Sequence, residues 1–378
     1  MLGIRHAAAL RSRIERWKFS SVISHDKLFI PGPVEVSQKT MAAFSRPMIG
    51  HRGEAFKNLY REIHPHLQEL FVTKQPVFLS TSSAWGVMEA AIRNVVNERV
   101  LCCMCGAFSD KWLDVARRCG KEAEPLQVKW GKHIDHKEVD RALASGKFDT
   151  VTLIHNETST GVMNPLPEIC CTLAKYPDVA LVLDTVSSFS AVPIAMDALG
   201  IDVMLTGAQK ALALPPGFSL FSVSEKAFAR AEKQKDRGYY FDFLEFKKQQ
   251  SEFMTPSTPS IGHIFALQSK LDEIFGETLP KRFERHARTN ALVHDWVRTH
   301  GFDFFAEENF RSITLTCVKN NRDIDVAKLV RDLREKHHLV IDGGYGKIKG
   351  QTFRLSNMGD ETEETVAHLL ACLDDCLG

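Results

Sequence analysis

The sequence predicts an α/β protein with two unequal domains: a large one built on a mostly parallel sheet covered by helices, and a smaller α+β domain after it. From Pro76 onward, short apolar or β-branched segments alternate with helical patterns, which is typical of βαβ units. Near Pro256 this alternation ends, and a long helical stretch from about 261 to 298 leads into mixed strands and helices. We therefore assign residues 26–255 to the large domain and 256–378 to the small one.

The strands and helices of both domains follow from the pattern of apolar residues. In the large domain the strand-like segments are, in order, PVFLSTSS, RVLCCMCGAF, DTVTLIHNE, VALVLDTVSS, DVMLTGAQ and GFSLFSVS, and the first two precede the helical patterns AWGVMEAAIRNVV and SDKWLDVARRCG. In the small domain the strands are SITLTCVKN, HHLVIDGGY and TFRLSN, and the helices are DIDVAKLVRDLREK and TEETVAHLLACLDDCL. Ligands of open α/β sheets bind at the carboxyl ends of the strands, so polar residues at those ends are the candidates for a functional site.

The composition excludes several classes of function. Charges nearly balance, with a net charge of +1, so the composition lacks the excess of positive charge that is typical of nucleic-acid binding. No apolar segment is long enough to span a bilayer. Of nine cysteines, only Cys102 and Cys105 have CxxC spacing, and inside an apolar strand we interpret them as small apolar residues without a metal. We therefore expect a protein with free thiols in a reducing compartment and no membrane or nucleic-acid partner.

The first 25 residues form a basic extension, with five Arg and Lys residues against the single acid Glu15. Such a segment is consistent with a short basic helix that packs on the body or on a partner subunit. An organellar transit peptide has a similar composition. We favour the helix and expect a cytoplasmic protein.

Two strand ends carry clusters of small polar residues. STSSAWG, residues 80–86, runs directly into a helix, so its backbone N–H groups and the helix dipole suit an anion such as phosphate. The same segment can also be a serine-rich N-cap and nothing more. The cluster at 156–160, in IHNETSTGVMNP, either shapes a turn or orients a hydroxyl group of a ligand.

The other two strand ends carry opposite charges. Asp184 is the last residue of the apolar strand LVLD, and burying its carboxylate requires a cationic partner. Lys210 lies in TGAQKALALPPG, 26 residues further on, which is about one βα unit, so both side chains can face one cleft. A desolvated lysine in such a cleft can act as nucleophile and base.

An anion cup, an acid and a lysine together predict pyridoxal 5′-phosphate. This cofactor needs an anion site, a carboxylate that keeps its ring nitrogen protonated, and a lysine for a Schiff base. Phe108, at the end of the strand RVLCCMCGAF, can cover the ring, although an apolar residue there can equally belong to the core. No metal is needed for this chemistry.

Five ordered motifs then make the sequence similar to a known family. RPMIGHRGEAF, ETSTGVMNPL, LDTVSS, TGAQKALALPPG and GGYGKIKGQTFRL resemble the class V aminotransferases of the fold-type-I pyridoxal-phosphate enzymes, in particular the alanine/serine-glyoxylate (serine-pyruvate) aminotransferase group. The similarity extends from FIPGPVEV, residues 29–36, to FRLSNMGD, residues 353–360. It implies the fold-type-I architecture.

The resemblance implies a set of cofactor contacts. Lys210 would be the Schiff-base lysine and Asp184 the partner of the ring nitrogen, and Thr158 would contact the phenolic oxygen. Around the ring and the phosphate it implies Val186, Phe108, Ser83, Ala84, Trp85 and Gln209, completed across a homodimer interface by Thr255 and Ser257 of MTPSTPS. Trp85 departs from the glycine-rich cup of many relatives, so it either narrows the pocket or packs against the helix.

The substrate contacts implied by the resemblance lie in other segments. Arg354 matches the arginine that binds the substrate α-carboxylate, and glycines in GGYG would let a loop bend over the substrate. His51 and Arg52 match a pair that meets a substrate phosphate or distal carboxylate in phosphoserine aminotransferases, and Arg52 can also form an intersubunit ion pair. Cysteine desulfurases share this fold and need a mobile cysteine over the cofactor. The best placed candidate here, Cys317, lies in a strand-like segment, which does not favour that activity.

We therefore predict ping-pong transamination of serine or alanine with glyoxylate or pyruvate. Phosphoserine with 2-oxoglutarate is the alternative. A homodimer with shared active sites follows from the resemblance. A third possibility, a non-catalytic cofactor-binding protein, would have no need for Lys210, Asp184 and Arg354 together.

Overall fold

The computed structural model describes residues 25–378, so the helix predicted in the basic extension lies outside the described residues. Its strands are β1 (Lys27–Leu28), β2 (Val77–Ser80), β3 (Arg99–Met104), β4 (Glu122–Gln127), β5 (Thr150–Ile154), β6 (Asn156–Glu157), β7 (Val162–Met163), β8 (Ala180–Asp184), β9 (Val203–Gly207), β10 (Ser219–Val223), β11 (Asp303–Phe304), β12 (Leu315–Lys319), β13 (Leu339–Val340) and β14 (Thr352–Ser356).

The helices cover the sheets and fill the second half of the chain. They are α1 (Gln38–Phe44), α2 (Glu54–Phe71), α3 (Ala84–Val95), α4 (Ala107–Arg118), α5 (His136–Leu143), α6 (Leu166–Leu173), α7 (Glu225–Ala231), α8 (Phe243–Gln250), α9 (Ile261–Glu277), α10 (Leu279–Thr299), α11 (Val326–His337) and α12 (Glu363–Leu377), with a 3-10 turn at Gly346–Ile348. No helix among residues 25–378 is both long and apolar enough to cross a membrane.

A seven-stranded sheet in the order β2-β10-β9-β8-β5-β3-β4 forms the centre of the large domain. Strand β10 runs antiparallel to both of its neighbours, and the other pairs are parallel. Successive residues of one strand enter opposite apolar layers: Leu181 and Leu183 of β8 belong to one, Val182 to the other. Burial on both faces explains the nearly continuous apolar strands, and the predicted α/β class is confirmed.

Strand β4 was not predicted, because its sequence, EAEPLQ, has neither an apolar run nor β-branched residues. It pairs with β3 alone and lies at the edge of the sheet. Charged residues and proline are tolerated at an edge, where one side of the strand faces solvent and needs no apolar cover. An edge strand of this kind therefore carries little of the pattern by which buried strands are predicted.

The long helical stretch predicted from about 261 to 298 is two helices. Helix α9 ends at Glu277, and α10 begins at Leu279, with Pro280 in its first turn. Between them Thr278 has a φ of +73°, which no helical residue adopts. Proline is favoured in the first turn of a helix, and Pro280 was the signal for the break.

The small domain has its own apolar cluster. Strands β11, β12 and β14 form an antiparallel sheet, and their inward residues pack against α10, α11 and α12. Helix α9 instead places Ile264, Leu267 and Leu271 in an apolar layer of the large domain. We therefore propose that the boundary lies between α9 and α10, later than the predicted residue 256.

The amino-terminal segment crosses between the two domains. Strand β1 pairs in parallel with β13, and Phe29 is buried in the small-domain cluster. The next residues run back to the carboxyl end of the central sheet, where Val34 N donates to Gln209 O at 3.1 Å. The segment predicted to begin the family resemblance thus contacts both domains beside Lys210.

Candidate active site

A cavity of about 480 Å³ lies at the carboxyl ends of the central strands. Nine of the residues predicted to bind the cofactor line it: Ser83, Ala84, Trp85, Phe108, Thr158, Asp184, Val186, Gln209 and Lys210. Asn156, from the polar cluster at 156–160, also lines it, together with three residues that were not predicted: Met88, Ile154 and Ser187. The structure therefore brings separate strand ends together at one place, as expected for an open α/β sheet.

The turn that carries Lys210 is held from below by a buried arginine of α10. Arg282, only 1% exposed, donates from Nη2 to Ala211 O at 2.8 Å and from Nε to Ser190 O at 3.1 Å. Within the turn, Ala213 N donates to Lys210 O at 2.8 Å. The backbone at the lysine is thus fixed by hydrogen bonds, in addition to the prolines that follow.

The side chain of Lys210 packs against the amino-terminal segment. Its Nζ donates a hydrogen bond to Pro31 O. A Cβ atom at Gly32 would lie 2.5 Å from Lys210 Cδ, so only glycine fits there. Burial of the amine, reinforced by the positive charge of Arg354, lowers the pKa of Lys210 to about 8. A fraction of the amine is therefore neutral near physiological pH, as a nucleophile or base requires.

Asp184, at the end of β8, is 4% exposed and has no ion-pair partner among residues 25–378. Burial raises the pKa of Asp184 to about 7, against the opposing hydrogen bond from Val186 N at 2.8 Å. A buried carboxylate without a cation is stabilised by a ligand that brings a positive charge. The environment of Asp184 therefore fits a protonated ring nitrogen.

This burial predicts a pH-dependent stability of the cofactor-free chain. Folded Asp184 holds its proton more tightly than the unfolded carboxyl group, so the free energy of unfolding falls as pH rises from about 4 to about 7. The Asp184→Asn variant lacks this loss and should be more stable than the wild type at pH 7.5, by up to roughly 4 kcal/mol.

Urea unfolding of both cofactor-free proteins at pH 4 and pH 7.5 checks this prediction. The difference should be near zero at the lower pH and should grow with pH. Asp303→Asn, at an exposed position of β11, is the matched control and should show no such growth. An Asp184→Asn variant less stable than the wild type at pH 7.5 would contradict the prediction.

The predicted anion cup lies at the start of α3. Ser83 is the N-cap residue, but its side chain makes no capping hydrogen bond, so the first N–H groups of the helix are not capped from within. Gln209 faces this region, and its Oε1 is buried without a hydrogen-bond partner among the described residues. Uncapped N–H groups and an unsatisfied amide fit a bound phosphate.

Aromatic side chains close the cavity above the lysine. Phe108 lies in the first turn of α4, four residues beyond the end of β3, which corrects its predicted place on the strand. Lys210 Nζ is 5.8 Å from the centre of its ring, and Tyr345 stacks on it with ring centres 5.0 Å apart. Trp85 lines the cavity, and its ring centre lies 6.4 Å from that of Trp112.

Glu157 supports the aromatic cover from beneath, a role that the sequence did not predict. Its buried carboxylate accepts hydrogen bonds from Ser109 N at 2.8 Å and Ser159 Oγ at 2.6 Å. A Cβ atom at Gly106 would lie 2.4 Å from Glu157 Cγ, so α4 begins in direct contact with this side chain. The carboxylate thereby satisfies N–H groups at the helix start that hold Phe108 in place.

Arg354 reaches the same region from β14 of the small domain. It is 4% exposed, and its Nη1 donates to the backbone oxygen of Thr158, a cavity residue, at 2.9 Å. Cys317 lies opposite it on β12, is buried, and has a pKa raised by burial to about 12. A thiol of that kind is a packing residue, so nothing favours a reactive cysteine there.

Besides Arg354, four predicted site residues do not line the cavity of their own chain: His51, Arg52, Thr255 and Ser257. Their two segments instead meet at the surface, where Thr258 Oγ1 lies 3.5 Å from His51 Nε2. Arg52 is exposed there. The segment of Thr255 is anchored beside the anion cup, since Ser260 N donates to Thr81 Oγ1 at 2.9 Å.

Comparison with known proteins identifies a family. The family model described as aminotransferase class-V matches residues 34–331, which is most of the chain and includes the lysine turn. An uncharacterized aminotransferase of Methanocaldococcus jannaschii is 35% identical over 92% of this chain and 91% of its own length. The serine–glyoxylate aminotransferase of Arabidopsis thaliana is 31% identical over 92% of this chain and 88% of its own.

A solved structure agrees with these sequence matches. The alanine–glyoxylate aminotransferase from Nostoc sp. superimposes with a TM-score of 0.91 at 28% identity, covering 96% of this chain and 98% of that protein. The agreement extends over both domains.

Proposed function

The chain belongs to the class-V aminotransferase family, and from this we propose that it transfers an amino group from serine or alanine to glyoxylate or pyruvate. The observation that carries the proposal is the meeting of three charged groups from separate strands: Asp184 and Lys210 at or after strand ends, and Arg354 within β14. The charges of Asp184 and Arg354 both act on the amine of Lys210. Transamination of an amino acid requires an amine and an acid at one cavity, and beside it an arginine that can bind a carboxylate.

The residues at the cavity fit pyridoxal 5′-phosphate, which the family implies. Bound there, this cofactor supplies an electron sink that stabilises negative charge at the substrate Cα. The first turn of α3 and Gln209 would hold the phosphate, Asp184 the ring nitrogen, and Phe108 one ring face. Asn156 Oδ1, buried and unpartnered among the described residues, is a further polar atom that faces the ring region.

Lys210 and Arg354 then have separate tasks in the reaction. Lys210 would hold the cofactor through its amine, and the amine, when free, would take the proton from the substrate Cα and donate it again within the same half of the reaction. A pKa of about 8 suits this double task, because the amine is readily deprotonated and reprotonated near neutral pH. Arg354 orients the substrate through its carboxylate.

We further propose a homodimer in which each subunit completes the site of the other. His51, Arg52 and Ser257 lie in two segments that meet at the surface beside the anion cup, outside their own cavity, and the buried Thr255 donates from Oγ1 to Ser257 O. A second copy placed against this surface would bring them toward its cavity. Light scattering coupled to size exclusion should give twice the chain mass of 42.5 kDa, and a stable monomer with full activity would contradict the shared site.

Phosphoserine with 2-oxoglutarate is the alternative substrate pair. Its phosphate needs cations, and the candidates His51 and Arg52 would have to come from the partner subunit. Within the same chain, Lys111 lies 5.7 Å from the ring centre of Phe108 and is exposed. Serine and alanine make no such demand, which is why we favour them.

An amino-donor screen of the purified holoenzyme tests both possibilities. Serine, alanine, phosphoserine and glutamate are mixed with it separately, and the loss of the visible cofactor band is followed in time. Fastest conversion by serine or alanine is expected. Fastest conversion by phosphoserine or glutamate would assign the alternative, and no conversion by any amino acid would contradict an aminotransferase activity.

A further inference from the structure

Asp342 lies directly opposite Arg354 at the edge of the small-domain sheet. Arg354 N donates to Asp342 O at 2.7 Å, and the two residues form an antiparallel bridge where the chain passes from β13 toward the 3-10 turn. Residues opposite each other in an antiparallel pair project their side chains to the same face. The backbone therefore fixes an acid beside the arginine that is proposed to bind the substrate.

The two side chains are joined by a short ion pair. Arg354 Nε lies 2.8 Å from Asp342 Oδ1. The side chain of the arginine is 5% exposed and that of the acid 27%. The same Oδ1 accepts a hydrogen bond from Gly344 N, also at 2.8 Å. Because two donors from different segments converge on one oxygen atom, the position of that oxygen is well defined.

These contacts determine which guanidinium hydrogens remain for a ligand. Of the five N–H donors of arginine, Nε–H is engaged by Asp342 and one Nη1–H by Thr158 O. The three that remain all belong to the two terminal nitrogens. A substrate carboxylate can therefore be bound through Nη1 and Nη2 only, in one orientation.

From this geometry, and resting on the proposed function, we propose that Asp342 is a positioning residue that turns the terminal nitrogens of Arg354 toward the substrate carboxylate. It acts through Arg354 and does not touch the substrate. Without the acceptor at Oδ1, Nε would be unpaired in a buried place, and the guanidinium would turn to satisfy it. The substrate carboxylate would then meet a guanidinium group whose terminal nitrogens point in another direction or are already bonded to other protein atoms.

The same acid also shapes the loop over the site. Through Gly344 N it fixes the turn in which Gly344 has a φ of +91°, a conformation that suits glycine. The next residue, Tyr345, stacks on Phe108 and has the Arg354 guanidinium 5.4 Å from its ring centre. One carboxylate oxygen thus aligns both the arginine and the aromatic ring that lies beside it.

Three substitutions separate the position of the acceptor from its charge. Asp342→Asn keeps an oxygen acceptor at the same distance and removes the charge, Asp342→Glu keeps the charge and moves the acceptor by one methylene, and Asp342→Ala removes both. Asp303→Asn, an exposed acid of the same sheet, is the control. Unchanged thermal unfolding and an unchanged cofactor band establish that each variant is folded and loaded.

Calorimetric titration of the holoenzyme with propionate measures carboxylate binding without turnover, because propionate has no amino group. We expect the Kd of propionate to rise by about tenfold or more in the Asp342→Ala and Asp342→Glu variants, on the scale of a lost charge-assisted hydrogen bond, and by less than about threefold in Asp342→Asn. For serine or alanine, KM should rise in parallel, while kcat changes little.

Two outcomes would overturn the inference. One is an Asp342→Ala variant that binds propionate as tightly as the wild type. The other is an Asp342→Asn variant as impaired as Asp342→Ala, since the charge and not the acceptor position would then matter. The proposed function fails separately: a wild-type protein that converts no amino acid contradicts it, while propionate binding still reports on Asp342.

Discussion

Replacing Lys210 with alanine is expected to abolish turnover and the visible band that arises from the covalent link between this lysine and the cofactor. Lys210 is the sole amine among the described residues that line the cavity, so no neighbour can take over the covalent link or the proton transfer. Turnover should fall by at least about 10⁴-fold, as when a covalent catalytic residue is removed from other enzymes.

Cofactor binding itself should survive in part in this variant. The first turn of α3, Gln209 and Asp184 are untouched, so calorimetry should still detect non-covalent binding of pyridoxal 5′-phosphate. Lys233→Ala, an exposed lysine of the same domain, is the control and should behave as the wild type. Transamination retained by the Lys210→Ala variant would refute the assignment of Lys210.

Replacing Arg354 with lysine is expected to lower kcat/KM by about 2–3 kcal/mol in free energy, or roughly 30- to 150-fold. Lysine offers a compact charge instead of a planar fork. Its ammonium group cannot bond Asp342 and Thr158 O and also meet a carboxylate through two parallel bonds. The ion pair with Asp342 would therefore retain the lysine at the expense of the substrate.

The measurement is a steady-state comparison with whichever of serine and alanine the wild type converts faster. The Arg354→Lys variant should keep the cofactor band, since Arg354 does not line the ring cavity. Arg331→Lys, at an exposed position of α11, controls for the general effect of the exchange. A kcat/KM equal to that of the wild type would mean that another group binds the carboxylate.

The sequence was most informative about side chains at the ends of buried strands. Asp184 and Lys210 each follow a segment whose apolar character fixes both strand and register, so their meeting at one sheet edge could be inferred without coordinates. Phe108 was placed on a strand because the apolar run RVLCCMCGAF continues past the point where β3 ends. Its closeness to Lys210 was nevertheless predicted, since strand end and helix start occupy the same edge.

The roles of residues that act through tertiary contacts could not be predicted from the sequence. Asp342 faces Arg354 only because a bridge brings positions 12 residues apart into opposition across a glycine-rich loop, and no periodicity marks it. Glu157 was seen as part of a polar cluster, but its bonds to α4 depend on how that helix begins beside Gly106. The role proposed for Thr255 would depend on a second chain, which neither periodicity nor the fold of one chain supplies.

The pairing of β1 with β13 has a consequence for synthesis on the ribosome. Lys27 meets Leu339 across 312 residues (339 minus 27), so at roughly 5–20 residues per second the amino-terminal segment waits on the order of 15–60 s for its partner strand. Until then Phe29 has no small-domain cluster to enter, and Pro31 is not held against Lys210. All the residues that line the cavity, from Ser83 to Lys210, are translated well before that strand. The nascent chain therefore completes the residues of the cavity first and adds Arg354 only after β13.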